Sequence, residues 1–234
     1  MVKYLFIILF VFSGFKSQSQ VLISLLLGDK LNSGVIEFGL EGGYNFSKIS
    51  NLETNNSLSK FNLGFYFDIK LKNQWNLYTG VLVKSKLGAN KLTESDLEFL
   101  QAETYQEEGD YSQHIKYFVV PALLKYRFKN KLYLEAGPQF GLMHGAWVEF
   151  NSNENGKEAK IKEFNKEQIN RLDAGFTFGT GYKLIKKSGM TLGVKYYLGL
   201  ANVYKNRSDT KNSSLYLKLN VPIGAKAAQE KANK

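Results

Sequence analysis

Eight stretches of the chain alternate apolar and polar residues with a period of two. The clearest is YLEAGPQFGLMHG, from Tyr133 to Gly145. It sets Leu134, Ala136, Pro138, Phe140 and Leu142 against Tyr133, Glu135, Gly137, Gln139, Gly141 and Met143. Successive side chains of a strand point to opposite faces, so the pattern predicts a strand with one continuous apolar face. VIEFGLEGGYNF from Val35, FNLGFYFDIKL from Phe61, WNLYTGVLVKSK from Trp75 and YFVVPALLKYRF from Tyr117 repeat it. So do RLDAGFTFGTGYKL from Arg171, MTLGVKYYLGL from Met190 and LYLKLNVPI from Leu215. Each is close to the 9–11 residues that a tilted strand needs to cross a bilayer.

The connections take turns between long and short. Ser47 to Ser59 is long, KNQ short, Leu87 to Lys116 long, KNK short, the region around 147–170 long, IKKSG short, and Ala201 to Ser214 long. Short periplasmic turns opposite long external loops are the layout of an outer-membrane barrel. The fold class predicted is therefore all-β, an eight-stranded antiparallel up-and-down transmembrane β-barrel. A soluble lipocalin-like barrel would share the alternation with its apolar face turned inward, but has no need for such unequal loops.

The polar faces support the membrane reading. They carry Gly39, Gly43, Gly64, Gly80, Gly137, Gly141, Gly175, Gly179, Gly181, Gly193 and Gly199. Glycine weakens a strand unless crowding calls for it, and the interior of an eight-stranded barrel is only wide enough for side chains. The same faces carry Glu37, Glu41, Asp68, Glu135 and Asp173 together with Gln139, Lys70, Lys84, Lys125, Arg127, Lys183, Lys195 and Lys218. Charges enclosed in a narrow lumen must pair, because an unpaired buried charge costs several kcal/mol. A structural lumen network is expected from these residues. Phe61, Trp75, Tyr126, Phe128 and Tyr182 near the strand ends suit aromatic girdles at the two membrane interfaces.

The N-terminus sets the compartment. MVKYLFIILFVFSGFKSQSQ places Lys3 before an apolar run from Tyr4 to Phe12, then small and polar residues, which is the order of a secretory signal peptide. The expected organisation is a signal peptide over 1–19, a periplasmic segment over 20–34, the barrel over 35–224 and a polar tail over 225–234. The whole chain carries +10, and removal of Lys3 and Lys16 leaves the mature chain basic. That balance fits anionic membrane surfaces, and no nucleic-acid partner is expected of an exported chain. The absence of cysteine excludes disulfides and thiolate chemistry.

Signals of reaction chemistry are weak. Gly179-Thr180-Gly181 with Lys183 resembles a phosphate loop only faintly, without the Gly-Lys-Ser/Thr ending or a following helix. His114 and His144 lie near loop edges without a spaced carboxylate cluster, so no metal site is predicted. Glu135 and Asp173 read as lumen charge rather than a hydrolytic pair. No catalytic residue and no cofactor is predicted. The longest connection has more character. TESDLEFLQAETYQEEGD opens with a capping-box pattern, Thr93 to Asp96, that predicts a short amphipathic helix. Its acids are Glu94, Asp96, Glu98, Glu103, Glu107, Glu108 and Asp110. Exposed charge runs are usually solvated, so a solvated loop is the first reading and a contact surface for a partner or a cation the second.

FNLGFYFDIKLKNQWNLYTGVLVKSKLGA, YFVVPALLKYRFKNKLYLEAGPQFGLMHGA and LDAGFTFGTGYKL with LGVKYYLGLANV resemble the small PorT-type outer-membrane β-barrel proteins of Bacteroidetes. The pieces PALLKY and YLEAGPQFG are the most specific, and the likeness runs from about Val35 to Ile223. It implies an eight-stranded outer-membrane barrel without catalytic residues, of which some members serve type IX protein secretion. The chain departs from such barrels in ending VPIGAKAAQEKANK rather than on an aromatic residue. The expected partners are outer-membrane lipid and other outer-membrane or periplasmic proteins. Three functions are carried forward: a non-enzymatic structural or partner-binding component of an outer-membrane assembly, a small-solute channel, and a soluble ligand-binding barrel.

Overall fold

The computed structural model describes residues 35–154, 157–184 and 189–223. The expected signal peptide, the segment 20–34 and the tail 225–234 lie outside the described residues. The elements are β1 (Ile36–Ile49), β2 (Asn56–Lys72), β3 (Trp75–Asn90), α1 (Glu94–Leu100), β4 (Asp110–Arg127), β5 (Leu132–Glu154), β6 (Lys157–Phe164), β7 (Leu172–Lys183), β8 (Thr191–Asn202) and β9 (Lys211–Pro222). Eight of the strands form a ring in chain order, β1-β2-β3-β4-β5-β7-β8-β9, with every neighbouring pair antiparallel. Pairing of β9 with β1 closes it, so the ring has no open edge.

The apolar faces point outward. Phe118, Val120 and Leu124 of β4, Leu134, Phe140 and Leu142 of β5, and Phe176 and Phe178 of β7 are all exposed. The buried faces are the polar ones: Glu135, Gln139, Asp173, Thr177, Lys195 and Lys218. A water-soluble barrel with this exterior would present a large contiguous apolar patch to solvent, which removes the lipocalin-like alternative. The exposed band runs from Phe118 to Tyr126, Leu132 to Leu142, Leu172 to Tyr182 and Leu192 to Leu200 on four successive ring strands, the span that a tilted strand needs to cross the hydrocarbon. At the short-turn end Trp75 meets Tyr126 at 4.8 Å and Tyr126 meets Phe128 at 4.9 Å. At the other end Tyr44 meets Phe61 at 5.5 Å. These are the girdle positions.

The strands rise beyond that band, so the long connections are shorter than the sequence suggests. β3 and β4 stay paired from Lys86↔Lys116 to Asn90↔Ser112, which leaves only 91–109 between them. The region around 147–170 is a hairpin rather than a loop: β5 continues to Glu154 and pairs with β6. The sequence of β6, KEAKIKEF, puts charges on both faces and so carries no clear alternation. It is a ninth strand outside the ring of eight.

Two bulges lie just above the band. On β3 an extra residue falls between Leu82 and Ser85. On β5 His144 is unpaired between Met143 and Gly145. Each bulge reverses which residue parity faces inward. Above them the external mouth is closed by an apolar plug in which Ile49, Leu87, Ile115, Val148, Ile169 and Tyr204 pack against Leu97 and Leu100 of α1. The predicted capping box holds that helix: the Asp96 N–H donates to Thr93 Oγ1 at 3.1 Å, and the Thr93 N–H donates back to the Asp96 carboxylate at 3.0 Å. Gln101 in the left-handed region ends it.

Candidate functional site

Below the plug, the lumen at membrane height is filled by one ion-paired network drawn from seven of the eight ring strands. Asp68 on β2 accepts from Lys125 at 2.8 Å and Arg127 at 2.7 Å on β4, and from Asn76 on β3 at 2.7 Å. Glu135 on β5 accepts from Lys218 on β9 at 2.5 Å and lies 3.5 Å from Lys125. Glu41 on β1 accepts from Lys195 on β8 at 2.9 Å and from the Tyr78 hydroxyl. Glu37 accepts from Tyr66 at 3.0 Å and faces Arg127 at 3.9 Å. Four carboxylates thus meet four cations, and all but Glu37 and Arg127 are buried. Such pairs add little net stability over an apolar fill, but a lost partner strands a charge in low dielectric.

Tyrosines bind the network together. Lys125 lies 4.0 Å and Lys218 4.1 Å from the centre of the Tyr78 ring, and Lys125 lies 4.5 Å from Tyr133. Tyr66 stacks on Tyr78 at 5.5 Å, and Asn220 donates to the Tyr78 hydroxyl at 2.7 Å. The lumen glycines make the room. Gly181 and Gly193 oppose each other on β7 and β8, and a Cβ at either would come within 2.3 Å or 2.2 Å of the Tyr133 hydroxyl. These tyrosines are not part of the expected charge network, yet the signal for them exists: Tyr66, Tyr78, Tyr117, Tyr133, Tyr197 and Tyr216 all fall on the charge-bearing face of their strands. A buried tyrosine there supplies ring area and a hydroxyl that can find a partner.

Not every expected lumen residue joins this network. Lys84 is exposed, its ammonium 5.5 Å from the outer Phe61 ring, because the β3 bulge turns it to the outer wall. The same bulge moves Lys86 outward. Lys70 is exposed at the short-turn end, where the lumen opens to solvent. Lys183 is half-buried beside Arg127 and Lys131 in a cleft of about 220 Å³ at that end. Asp173 and Gln139 are buried higher up. Asp173 accepts from Asn212 at 3.0 Å among Tyr117, Tyr197 and Tyr216 rather than from a lysine.

The acidic connection divides in the same way. Glu94, Glu98, Glu103, Glu107, Glu108 and Asp110 are exposed. Asp96 is buried, and beyond its capping role it accepts from the Glu53 N–H at 2.6 Å and the Thr54 N–H at 3.0 Å. It fastens α1 to the β1–β2 loop and so is a fixing point within the fold, not part of the exposed acidic surface. His114 and His144 stand on strands rather than in loops. His114 stacks on Trp147 at 5.1 Å and His144 on Phe118 at 4.4 Å.

Residues 17–205 match the model of a family described as Outer membrane protein beta-barrel domain. No curated protein matches the chain. Solved structures to which the chain is similar include Ail, the attachment invasion locus protein of Yersinia pestis, in complex with the heparin analogue sucrose octasulfate. It is 13% identical, covers 81% of this chain and 99% of its own, and has a TM-score of 0.45. Neisserial surface protein A is 8% identical over 80% of this chain and 96% of its own, at a TM-score of 0.39. The outer membrane protein OprG from Pseudomonas aeruginosa is 9% identical over 82% and 95%, at 0.36.

Proposed function

The chain belongs to the Outer membrane protein beta-barrel domain family and resides in the outer membrane, and on that premise we propose that it is a non-enzymatic, non-conducting component of an outer-membrane assembly, of the PorT type and acting in type IX protein secretion. The observation that supports a structural role is the double filling of the barrel. The ion-paired network occupies the lumen at membrane height, and the plug around Leu97, Leu100, Ile115 and Tyr204 covers the external mouth. A barrel filled in this way serves as a platform rather than a passage. The partner surface in this reading is the external face, where α1 is held by Asp96 and presents Glu94 and Glu98 to solvent. The secretion assignment draws on the resemblance of the PALLKY and YLEAGPQFG segments. Deletion of the gene tests it: release of type IX cargo is expected to stop and to return on complementation. Unchanged release would overturn the assignment. Planar-bilayer recording tests the other half, with no conductance steps expected from folded protein and stable unitary steps supporting a small-solute channel instead.

A further inference from the structure

The two bulges above the apolar band build a second charged cluster, on the outer wall. By simple alternation Lys86 and Trp147 would face the lumen with Leu82 and Met143. Beyond the bulges they lie on the outer side of the wall, next to His114 and Lys116 of the unbulged β4, with Trp147 itself buried and Lys86 and Lys116 half-buried. Trp147 is the centre. It stacks on His114, and its indole N–H donates to Glu149 at 3.0 Å. The ammonium groups of Lys116, Lys162 and Lys86 lie 5.1, 5.2 and 5.3 Å from its ring. Lys160 approaches Glu149 at 3.4 Å and Lys162 at 3.9 Å. Lys60 is close enough to repel both Lys86 and His114. Five lysines therefore gather here, and of these Lys160 and Lys162 pair with Glu149. Each ring contact is favourable, but the ammonium groups repel one another, and burial followed by Lys60 and Lys116 holds the Lys86 ammonium below its usual range. The electrostatic complement of this cluster is a compact anion.

The height of the cluster says which one. Lys116 lies two residues above the exposed Phe118 and His114 four residues above it. At about 3.3 Å per residue and a tilt of about 40°, these positions stand about 5 and 10 Å above the hydrocarbon. The headgroup layer is about 5–8 Å deep on each side, so Lys116 and its neighbour Lys86 lie within it and His114 and Trp147 just above its outer edge. Directly below, Phe118, Leu142 and Val120 offer an exposed apolar surface on which acyl chains can lie.

We propose that the Trp147 cluster binds the phosphate of a phosphorylated lipid headgroup in the outer leaflet of the outer membrane. Trp147 is the buried base on which the lysines rest, Lys86, Lys116 and Lys162 are the phosphate ligands, and Glu149 and His114 fix the indole. The proposal rests on outer-membrane residence and is independent of any role in secretion, so the two can fail separately.

The test is lipid retention by the full-length folded protein after detergent exchange, read by native mass spectrometry. Lipid A, a bis-phosphorylated glycolipid, competes with its dephosphorylated form. The wild type is expected to retain the phosphorylated form selectively, and added salt to erase the preference. The Lys86→Gln/Lys116→Gln/Lys162→Gln variant is expected to lose about a hundredfold in retention, since each lysine near an anionic surface contributes roughly five- to tenfold. Replacement of the three by arginine should keep it. Inorganic phosphate should compete only in large excess, because it lacks the acyl chains. Equal retention of the two lipids by the wild type would overturn the proposal, as would unchanged retention by the glutamine variant. Displacement by inorganic phosphate at concentrations equal to the lipid would replace it with a soluble-anion site. The wild-type lipid preference decides the matter should the triple variant fail the heat-dependent gel-mobility check for folding.

Discussion

The lumen and the outer wall of this barrel use the same residue type in opposite ways. Inside, Lys125, Lys195 and Lys218 are buried and each meets a carboxylate within 3 Å. Outside, Lys86, Lys116 and Lys162 crowd around Trp147, and Lys160 and Lys162 pair with Glu149. The inner set is closed: every charge is answered by the chain itself, as low dielectric demands. The outer set has cations to spare and stands where water and headgroups screen it. Lysine on a barrel strand therefore has no single meaning. Its role follows from which wall it faces, and one one-residue bulge on β3 decides that for Lys84 and Lys86.

The largest expected effect breaks the inner set. Lys195→Met leaves Glu41 buried without its cation, and a loss of about 3–5 kcal/mol is expected from urea unfolding in detergent micelles. Adding Glu41→Leu should recover much of that loss, since the pair is replaced rather than split. No recovery would mean that Lys195 acts through packing instead. Next, Gly193→Val drives a methyl into the Tyr133 hydroxyl, and overpacking of this kind costs about 1–3 kcal/mol by the same measurement. Asp96→Ala removes the fixing point between α1 and the β1–β2 loop, at a local cost of about 1–2 kcal/mol. Hydrogen exchange should quicken in α1 and leave the ring strands unchanged.

On the outer wall the effects should be small. Lys116→Gln alone is expected to shift stability by no more than about 0.5 kcal/mol, because the half-buried Lys116 has no buried ion-pair partner to strand. A multi-kcal loss there would erase the contrast between the two walls. Acid tests the same cluster. Burial, against the opposing pull of Glu149 and with the help of Lys60 and Lys86, lowers His114 to about 4 from 6.5. The unfolded chain therefore takes up the proton first. The stabilisation is fully present above pH 6.5, and it is lost as the pH falls toward 4. NMR of the imidazole should show it still neutral at about pH 5, where an unperturbed histidine is charged.

Much of the barrel is legible in the sequence because its physics is local. Period-two alternation, glycine on the polar face and unequal connections give the strand number and the outward apolar face. The ion pairs at membrane height follow from enclosure, which drives a buried carboxylate to a cation; Asp173, higher up, is held instead by Asn212 among tyrosines. What escapes is what a one-residue insertion changes. Nothing in VLVKSK marks the bulge that moves Lys84 and Lys86 outside, and nothing in LMHGAW marks the one that turns Trp147 to the wall. The β5–β6 hairpin escapes because it stands above the hydrocarbon, where neither face has to be apolar. Asp96 looks like one more acid of a charged loop, and its burial is set by the backbone of residues 53 and 54, more than forty positions away.

The most direct measurement is lysine labelling of the folded protein in lipid vesicles with a membrane-impermeant amine reagent, read residue by residue by mass spectrometry. A filled lumen under a closed external mouth predicts that Lys125, Lys195 and Lys218 stay unmodified until the barrel is unfolded by heating, while Lys84, Lys160 and Lys162 react at once. Labelling of the three lumen lysines at the rate of the wall lysines in folded protein would contradict it.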